Sequence, residues 1–175
     1  MIALLFLTIP ENCRIIEENG RYWISQGDNC PTGNIEIPAE DENGHTITGI
    51  YEQGFYWCDE ITSVKLPDTI EEIGYGAFYG TGITSITIPT NVTVIPGGCF
   101  GECYLLTTIN LPESLSEIGS GAFLGTGITS ITIPPNVTVI PSTCFFGCSS
   151  LTTINLPESL SEIDSEAFSD CSSLV

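Results

Sequence analysis

The chain has 175 residues, 42% of them hydrophobic, and sets 22 Asp and Glu against 3 Lys and Arg with a single histidine. That is enough apolar matter for one ordinary domain with a core. A formal charge of -19 offers no basic patch to phosphates, which excludes nucleic acid and anionic membrane surfaces as partners. With His45 alone, neither a relay of two imidazoles nor a multi-histidine metal site can be assembled within one chain, so the sequence reads as non-enzymatic, with no catalytic residues, metal or cofactor expected.

At the N-terminus, Met1 to Pro10 is apolar but shorter than the roughly 20 residues a bilayer span needs, so no membrane insertion is expected. It reads either as a clipped secretory h-region or as an extra strand. The first lacks a basic n-region and a small-residue cleavage site. The second has Leu7-Thr-Ile-Pro-Glu-Asn12 in the form of Ile86-Thr-Ile-Pro-Thr-Asn91, and is the better fit. Asn19-Gly20 lies between apolar runs, where both residues tolerate positive φ, a strong hairpin signal. Residues 1–34 are therefore expected to form an N-terminal strand and a β-hairpin cap, the hairpin (residues 11–34) covering the open end of the core. Asn43-Gly44 marks a second turn in an insert of about six residues between Ala39 and His45, and His45 itself is expected to be exposed.

Beyond this point internal repetition dominates. Pro67, Pro89, Pro112, Pro134 and Pro157 are spaced 22, 23, 22 and 23 residues apart, and Phe78, Phe100, Phe123, Phe145 and Phe168 keep the same spacing. Residues 88–110 agree with 133–155 at 16 of 23 positions, and 66–87 agree with 111–132 at 16 of 22. The repeating unit is therefore a pair of alternating coils. Each coil opens with a short alternation such as Ile154-Asn-Leu156-Pro157, a half-buried strand that proline ends because it cannot donate the next ladder bond. In the second half, Leu115, Ile118 and Ala122 fall at steps of three and four, which predicts a short α or 3₁₀ turn; the glycines forbid more. A unit this small cannot bury its apolar face alone, so the coils must stack.

The cysteines follow the repeat. Cys58, Cys103, Cys148 and Cys171 each lie three residues after a phenylalanine, a slot that Thr81 and Thr126 fill elsewhere, while Cys99 and Cys144 stand where other coils have Ala77, Ala122 and Ala167. These six read as reduced core thiols, small hydrophobes in small slots, with Cys13 and Cys30 the exception that could be bridged. No convergent CxxC pairs point to zinc.

The pattern Leu-x-x-Ile-x-Leu-Pro-x-x-Leu-x-x-Ile-Gly-x-x-Ala-Phe-x-x-Cys, carried by residues 35–175, resembles the BspA-like leucine-rich repeat of secreted and surface proteins. Alternate coils depart from it with Ile95-Pro96 and Ile140-Pro141 in place of Ile-Gly. The resemblance implies an α/β, right-handed leucine-rich-repeat solenoid over residues 35–175. A parallel β-sheet is expected on one face, short helical or 3₁₀ turns on the other and phenylalanines between. It also implies a cell-surface or extracellular location and a role in adhesion or protein binding. The last coil, stopping at Leu174-Val175, is read as truncated and uncapped.

Outward strand positions form two polar columns, Ser85, Thr108, Ser130, Thr153 and Thr87, Asn110, Thr132, Asn155, continued by Ser63 and Lys65. Short hydrogen-bonding side chains in register suit a face that binds a protein or glycan ligand, though Ser and Thr also serve β-propensity and solubility alone. Two other readings stay open: a structural solenoid that self-associates end to end, and an ice-binding Ser/Thr face, whose columns Lys65, Asn110 and Asn155 interrupt. Asp68, Glu71, Glu72, Glu113, Glu117, Glu158 and Glu162 fall in one coil type, a solvated acidic edge rather than the facing carboxyl pair of a glycosidase. Asn91-Val-Thr93 and Asn136-Val-Thr138 are glycosylation sequons, and equally sites where an inward asparagine satisfies backbone groups.

Overall fold

The computed structural model describes residues 8–175. Most of the opening apolar segment therefore lies outside the described residues, and Thr8, Ile9 and Pro10 are not part of a strand. The first regular element is an antiparallel hairpin, β1 (Cys13–Glu18) and β2 (Arg21–Gln26), turning through Asn19 and Gly20, both at positive φ. Thereafter two strands belong to each coil. They are β3 (Gly33–Glu36) and β4 (Ile47–Ile50), β5 (Ile61–Lys65) and β6 (Glu72–Ile73), β7 (Ser85–Thr87) and β8 (Val94–Ile95). They continue as β9 (Thr108–Asn110) and β10 (Glu117–Ile118), β11 (Ser130–Thr132) and β12 (Val139–Ile140), β13 (Thr153–Asn155) and β14 (Glu162–Ile163). The odd-numbered strands from β3 stack as one column and the even-numbered ones as a second, and every pairing within a column is parallel. The hairpin joins the second column edge-on, with β2 parallel to β4 and β1 outermost.

No helix forms among the described residues, so the expected helical or 3₁₀ turns, and with them the α/β class, give way to an all-β solenoid whose third side consists of tandem turns. The reason lies in where the N–H groups go. Ala77, Tyr79 and Thr81 donate locally to Gly74, Gly76 and Phe78, while Gly76, Phe78 and Gly80 donate across to Gly97, Cys99 and Gly101 of the next coil. Alternate N–H groups thus leave the coil, and no i→i−4 ladder can build. The geometry needs a positive φ twice per turn. Glycine supplies it at Gly76, Gly80, Gly98, Gly121, Gly125 and Gly147, but Gln53, Trp57, Glu102, Thr143, Glu166 and Asp170 are held there as well. The steps of three and four at Leu115, Ile118 and Ala122 reflect a bent strand and a turn, not a helical face.

Inside, Phe55, Phe78, Phe100, Phe123 and Phe145 are fully buried, and the rings from Phe55 to Phe168 stack in sequence with centroids 5.2–6.0 Å apart. The spacing exceeds the ~4.8 Å rise between strands, so each ring is offset on its neighbour, the arrangement aromatic quadrupoles favour. Ala77, Cys99, Ala122, Cys144 and Ala167 form the small column beside them, all buried. Cys103 and Cys148 are buried thiols that donate to the Phe78 and Phe123 carbonyls and lie 3.3 Å from the Thr81 and Thr126 hydroxyls. Burial pushes the Cys103 and Cys148 thiols up to about 11, and Cys99 and Cys144 well above their ordinary value. Cys58 departs from the expected set of six core thiols. It is buried in the same column but bonded to Cys30, with Cα atoms 5.2 Å apart, because the segment before β3 places Cys30 one layer above it.

The alternation of 22 and 23 residues has one source. The corner after the phenylalanine is Cys-x-x-Leu (or Ile) in the longer coils and Thr-Gly-Ile in the shorter, at Gly82 and Gly127. A methyl group at Gly82 would lie 2.2 Å from the Asp59 carbonyl oxygen, and at Gly127 2.5 Å from that of Tyr104, so only glycine passes. Sheet pairing follows the same alternation. The pairs β3–β5, β7–β9 and β11–β13 in one column match β4–β6, β8–β10 and β12–β14 in the other, so the coils group as three doublets. On the turn side, by contrast, bonds run through every coil without interruption, as in Phe55→Ala77, Phe78→Cys99, Phe100→Ala122, Phe123→Cys144 and Phe145→Ala167.

Candidate strand-face site and family

The residues expected to bind fall on one face and in register. Ser85 sits beside Thr108, Thr87 beside Asn110, Ser130 beside Thr153 and Thr132 beside Asn155. Within these two doublets the asparagine ties the pair, Asn110 Nδ2 donating to Thr87 Oγ1 at 3.1 Å and Asn155 Nδ2 to Thr132 Oγ1 at 3.1 Å. Where two doublets meet, the sheet pairing lapses and the surface sinks into a shallow depression. One, of about 320 Å³, lies between β5 and β7 and is lined by Ser63, Lys65, Asp68, Ser85, Thr87 and Asn110. Its counterpart, of about 330 Å³, lies between β9 and β11 and is lined by Thr108, Asn110, Glu113, Ser130, Thr132 and Asn155. Asn110 borders both. Each depression offers hydroxyls and one carboxylate around an apolar floor, Val64 and Ile86 in the first and Ile109 and Ile131 in the second, with the Asn110 amide and the Lys65 ammonium in the first and the Asn110 and Asn155 amides in the second.

Thr153 is the one candidate outside both depressions. The rim acids Asp68 and Glu113 were not singled out for binding from the sequence; their signal was present, since each directly follows the proline that ends its strand. Lys65 is held by an ion pair with Glu36.

The sequon asparagines join coils at the doublet junctions. Asn91 Nδ2 donates to the Asp68 carbonyl at 2.7 Å and Asn136 Nδ2 to the Glu113 carbonyl at 3.0 Å. Both side chains are exposed rather than inward, because the carbonyls they satisfy lie at the surface edge of the preceding coil. Ser114 and Ser159 make the equivalent bonds within doublets, to the Thr90 and Pro135 carbonyls at 2.6 and 2.5 Å. The acids of the second column also alternate, Glu117 pairing beside Val94 and Glu162 beside Val139. That keeps carboxylates two coils apart, about 10 Å, and dilutes their repulsion.

In the insert, Asp41 accepts from the Asn43 and His45 backbone N–H groups and pairs with His45 Nδ1 at 3.0 Å, while the His45 ring stacks on Tyr22. Although desolvation opposes it, these donors hold the Asp41 carboxyl down to about 2. The His45 side chain is 44% exposed. Among the described residues no three His, Cys, Asp or Glu side chains converge as a metal site, and no helix is long and apolar enough to cross a membrane.

A stack of two-strand coils with a phenylalanine spine defines a β-solenoid of the leucine-rich-repeat class. The chain belongs to the BspA type leucine rich repeat family, whose repeat region matches residues 28–151 and 123–175 in six copies. Among solved structures, the T. pallidum leucine rich repeat protein is similar with a TM-score of 0.78 at 22% identity, over 94% of this chain and 88% of that one. A leucine rich cell surface protein from Faecalibacterium prausnitzii gives 0.59 at 25% identity, over 85% of this chain; the match spans 54% of that longer protein. The pneumococcal vaccine antigen PcpA gives 0.51 at 15% identity, over 94% of this chain and 67% of that one. No curated protein is similar enough in sequence to count as a match.

Proposed function

We propose that this chain is a non-enzymatic interaction module of a surface or secreted protein, binding an extended protein or glycan ligand along its strand face. The observation that carries the reading is the pair of equivalent depressions sharing Asn110, alike in hydroxyl, amide and carboxylate positions and differing where Lys65 of the first stands in the place of Asn110 in the second. They repeat every two coils, about 10 Å, so a ligand lying along the solenoid axis meets the shared hydroxyl, amide and carboxylate contacts twice. Each hydrogen bond contributes only ~0.5–1.5 kcal/mol net, and affinity comes from both depressions acting together. The surface location rests on the family and on the cell-surface relative from Faecalibacterium prausnitzii.

The test replaces Asn110, Thr132 and Asn155 with lysine. A ligand selected on peptide and glycan arrays is expected to lose the triple variant at an unchanged melting temperature. Retained binding, with loss on altering the turn side instead, moves the site off the strand face.

A second reading has its own observation. The final coil leaves Leu156 and Ile163 42% and 50% exposed, with Ile154, Leu160 and Phe168 only partly covered. A following coil of the same polypeptide or a second copy stacked end to end would cover these residues, and sedimentation velocity over a hundredfold concentration range tests for the second copy.

A further inference from the structure

Where the second column passes into the turn side, beside the hairpin, lies a concavity of about 320 Å³ lined by Glu18, Trp23, Tyr51, Glu52, Gly74 and Tyr75. We infer that this is a site for an organic cation, a guanidinium or alkylammonium head, held by three aromatic rings and two carboxylates. The inference is independent of the strand-face reading.

Three observations carry it. The first is placement. Trp23 comes from β2, Tyr51 and Glu52 follow β4, and Tyr75 follows β6, so three separate layers converge. Trp23 and Tyr51 meet edge to face at 6.3 Å, and Tyr75 is 61% exposed. The floor is bare backbone, since a methyl group at Gly74 would lie 2.4 Å from the Glu52 nitrogen. Second, the repeat does not require these residues. The positions equivalent to Glu52 and Tyr75 in the later coils are Gly97, Ser120, Ser142 and Ser165, and those coils close equally well. Third, the charges are complementary to a cation. The chain carries -19, Arg21 and Lys65 are committed to Glu71, Glu72 and Glu36, and among the described residues neither Glu18 nor Glu52 has a cation within 4 Å. Trp23 already receives one guanidinium, Arg21 Cζ lying 5.9 Å from its ring centroid outside the concavity. Aromatic faces attract cations through their quadrupole, and flanking carboxylates strengthen the attraction.

The experiment follows Trp23 fluorescence in a Trp57→Phe background, leaving Trp23 as the one reporter. The probes are a Gly-Gly-Arg-Gly-Gly amide, its Gln counterpart and tetramethylammonium chloride. Saturable change is expected with both cations and at least tenfold weaker response to the Gln peptide. Tighter binding of the Arg peptide than of tetramethylammonium identifies a polypeptide side chain as the source, and the reverse a free amine. Tyr75→Ala and Glu52→Gln, both at exposed side chains, should each weaken binding several-fold with the melting temperature unchanged. An equal response to the Gln peptide overturns the inference. So does unchanged affinity in both variants, which reduces the effect to general charge attraction, or a neutral oligosaccharide that perturbs Trp23 at lower concentration than either cation.

Discussion

The turn side and the strand side of this solenoid solve the same stacking problem differently. On the turn side every coil is bonded to the next through main-chain groups, three N–H donors per step, and the phenylalanine column runs beneath them unbroken. On the strand side the ladders pair coils two by two, and at the junctions, apart from a main-chain bond from the Thr84 N–H to the Thr62 carbonyl, side chains take over: Asn91 and Asn136 at the edge, Cys103 with Thr81 and Cys148 with Thr126 in the core. Continuity thus comes from the turns, while the strands gain depressions where their pairing lapses. The side that looks irregular in the sequence is the one that holds the stack together.

Breaking the continuous side should have the largest effect. Phe123→Ala removes a fully buried ring between two others and is expected to cost about 3–5 kcal/mol in denaturant unfolding. A loss below about 1 kcal/mol would mean the spine does not bear the stacking. Next comes the Cys30–Cys58 bridge, which closes a loop of 28 residues; reduction should cost about 3–4 kcal/mol. Thiol titration checks its existence: six free thiols in denaturant and eight after reduction, with Cys99, Cys103, Cys144 and Cys148 nearly unreactive in the folded chain.

Smaller effects sharpen the contrast between doublet and junction. Asn91→Ala, at a junction without sheet pairing, should cost about 1 kcal/mol, and Ser114→Ala, inside a doublet, about half as much. Amide exchange offers the same comparison without mutation, with Phe78 and Phe123 N–H protected across junctions where strand amides exchange faster. The smallest effect is acid-dependent. The Asp41 carboxyl is held at about 2, below its ordinary value of 3.8, so its stabilising contribution is complete above that ordinary value and is lost as pH falls toward 2. Asp41→Asn should flatten that part of the pH–stability curve, measured by thermal melts between about pH 2 and 5.

Much of this was legible in the residues. The proline and phenylalanine intervals reveal both the coil and its doubling, and the Cys/Thr and Cys/Ala substitutions identify small core columns. What was hidden had physical causes. Leu115, Ile118 and Ala122 imitate helical spacing because a two-residue strand followed by a turn brings apolar side chains inward at similar intervals; only recurrent glycine, at 76, 98 and 121 and again at 80, 125 and 147, hinted at positive φ. Cys30 stands outside the repeat, so nothing in the spacing places it above Cys58. The outward hydroxyl and amide columns could be read, but not the lapses in pairing that turn them into depressions. The cluster of Trp23, Tyr51 and Tyr75 depends on contacts between distant segments and leaves no local pattern.

The strict succession Glu72, Val94, Glu117, Val139, Glu162 along the second column carries a consequence for how such a molecule can lengthen. Copying one 22- or 23-residue coil would set carboxylate on carboxylate at ~4.8 Å, or valine on valine. Copying 45 residues at once reproduces every neighbour relation already present. Growth by an even number of coils is therefore silent to the fold, and growth by an odd number leaves a seam.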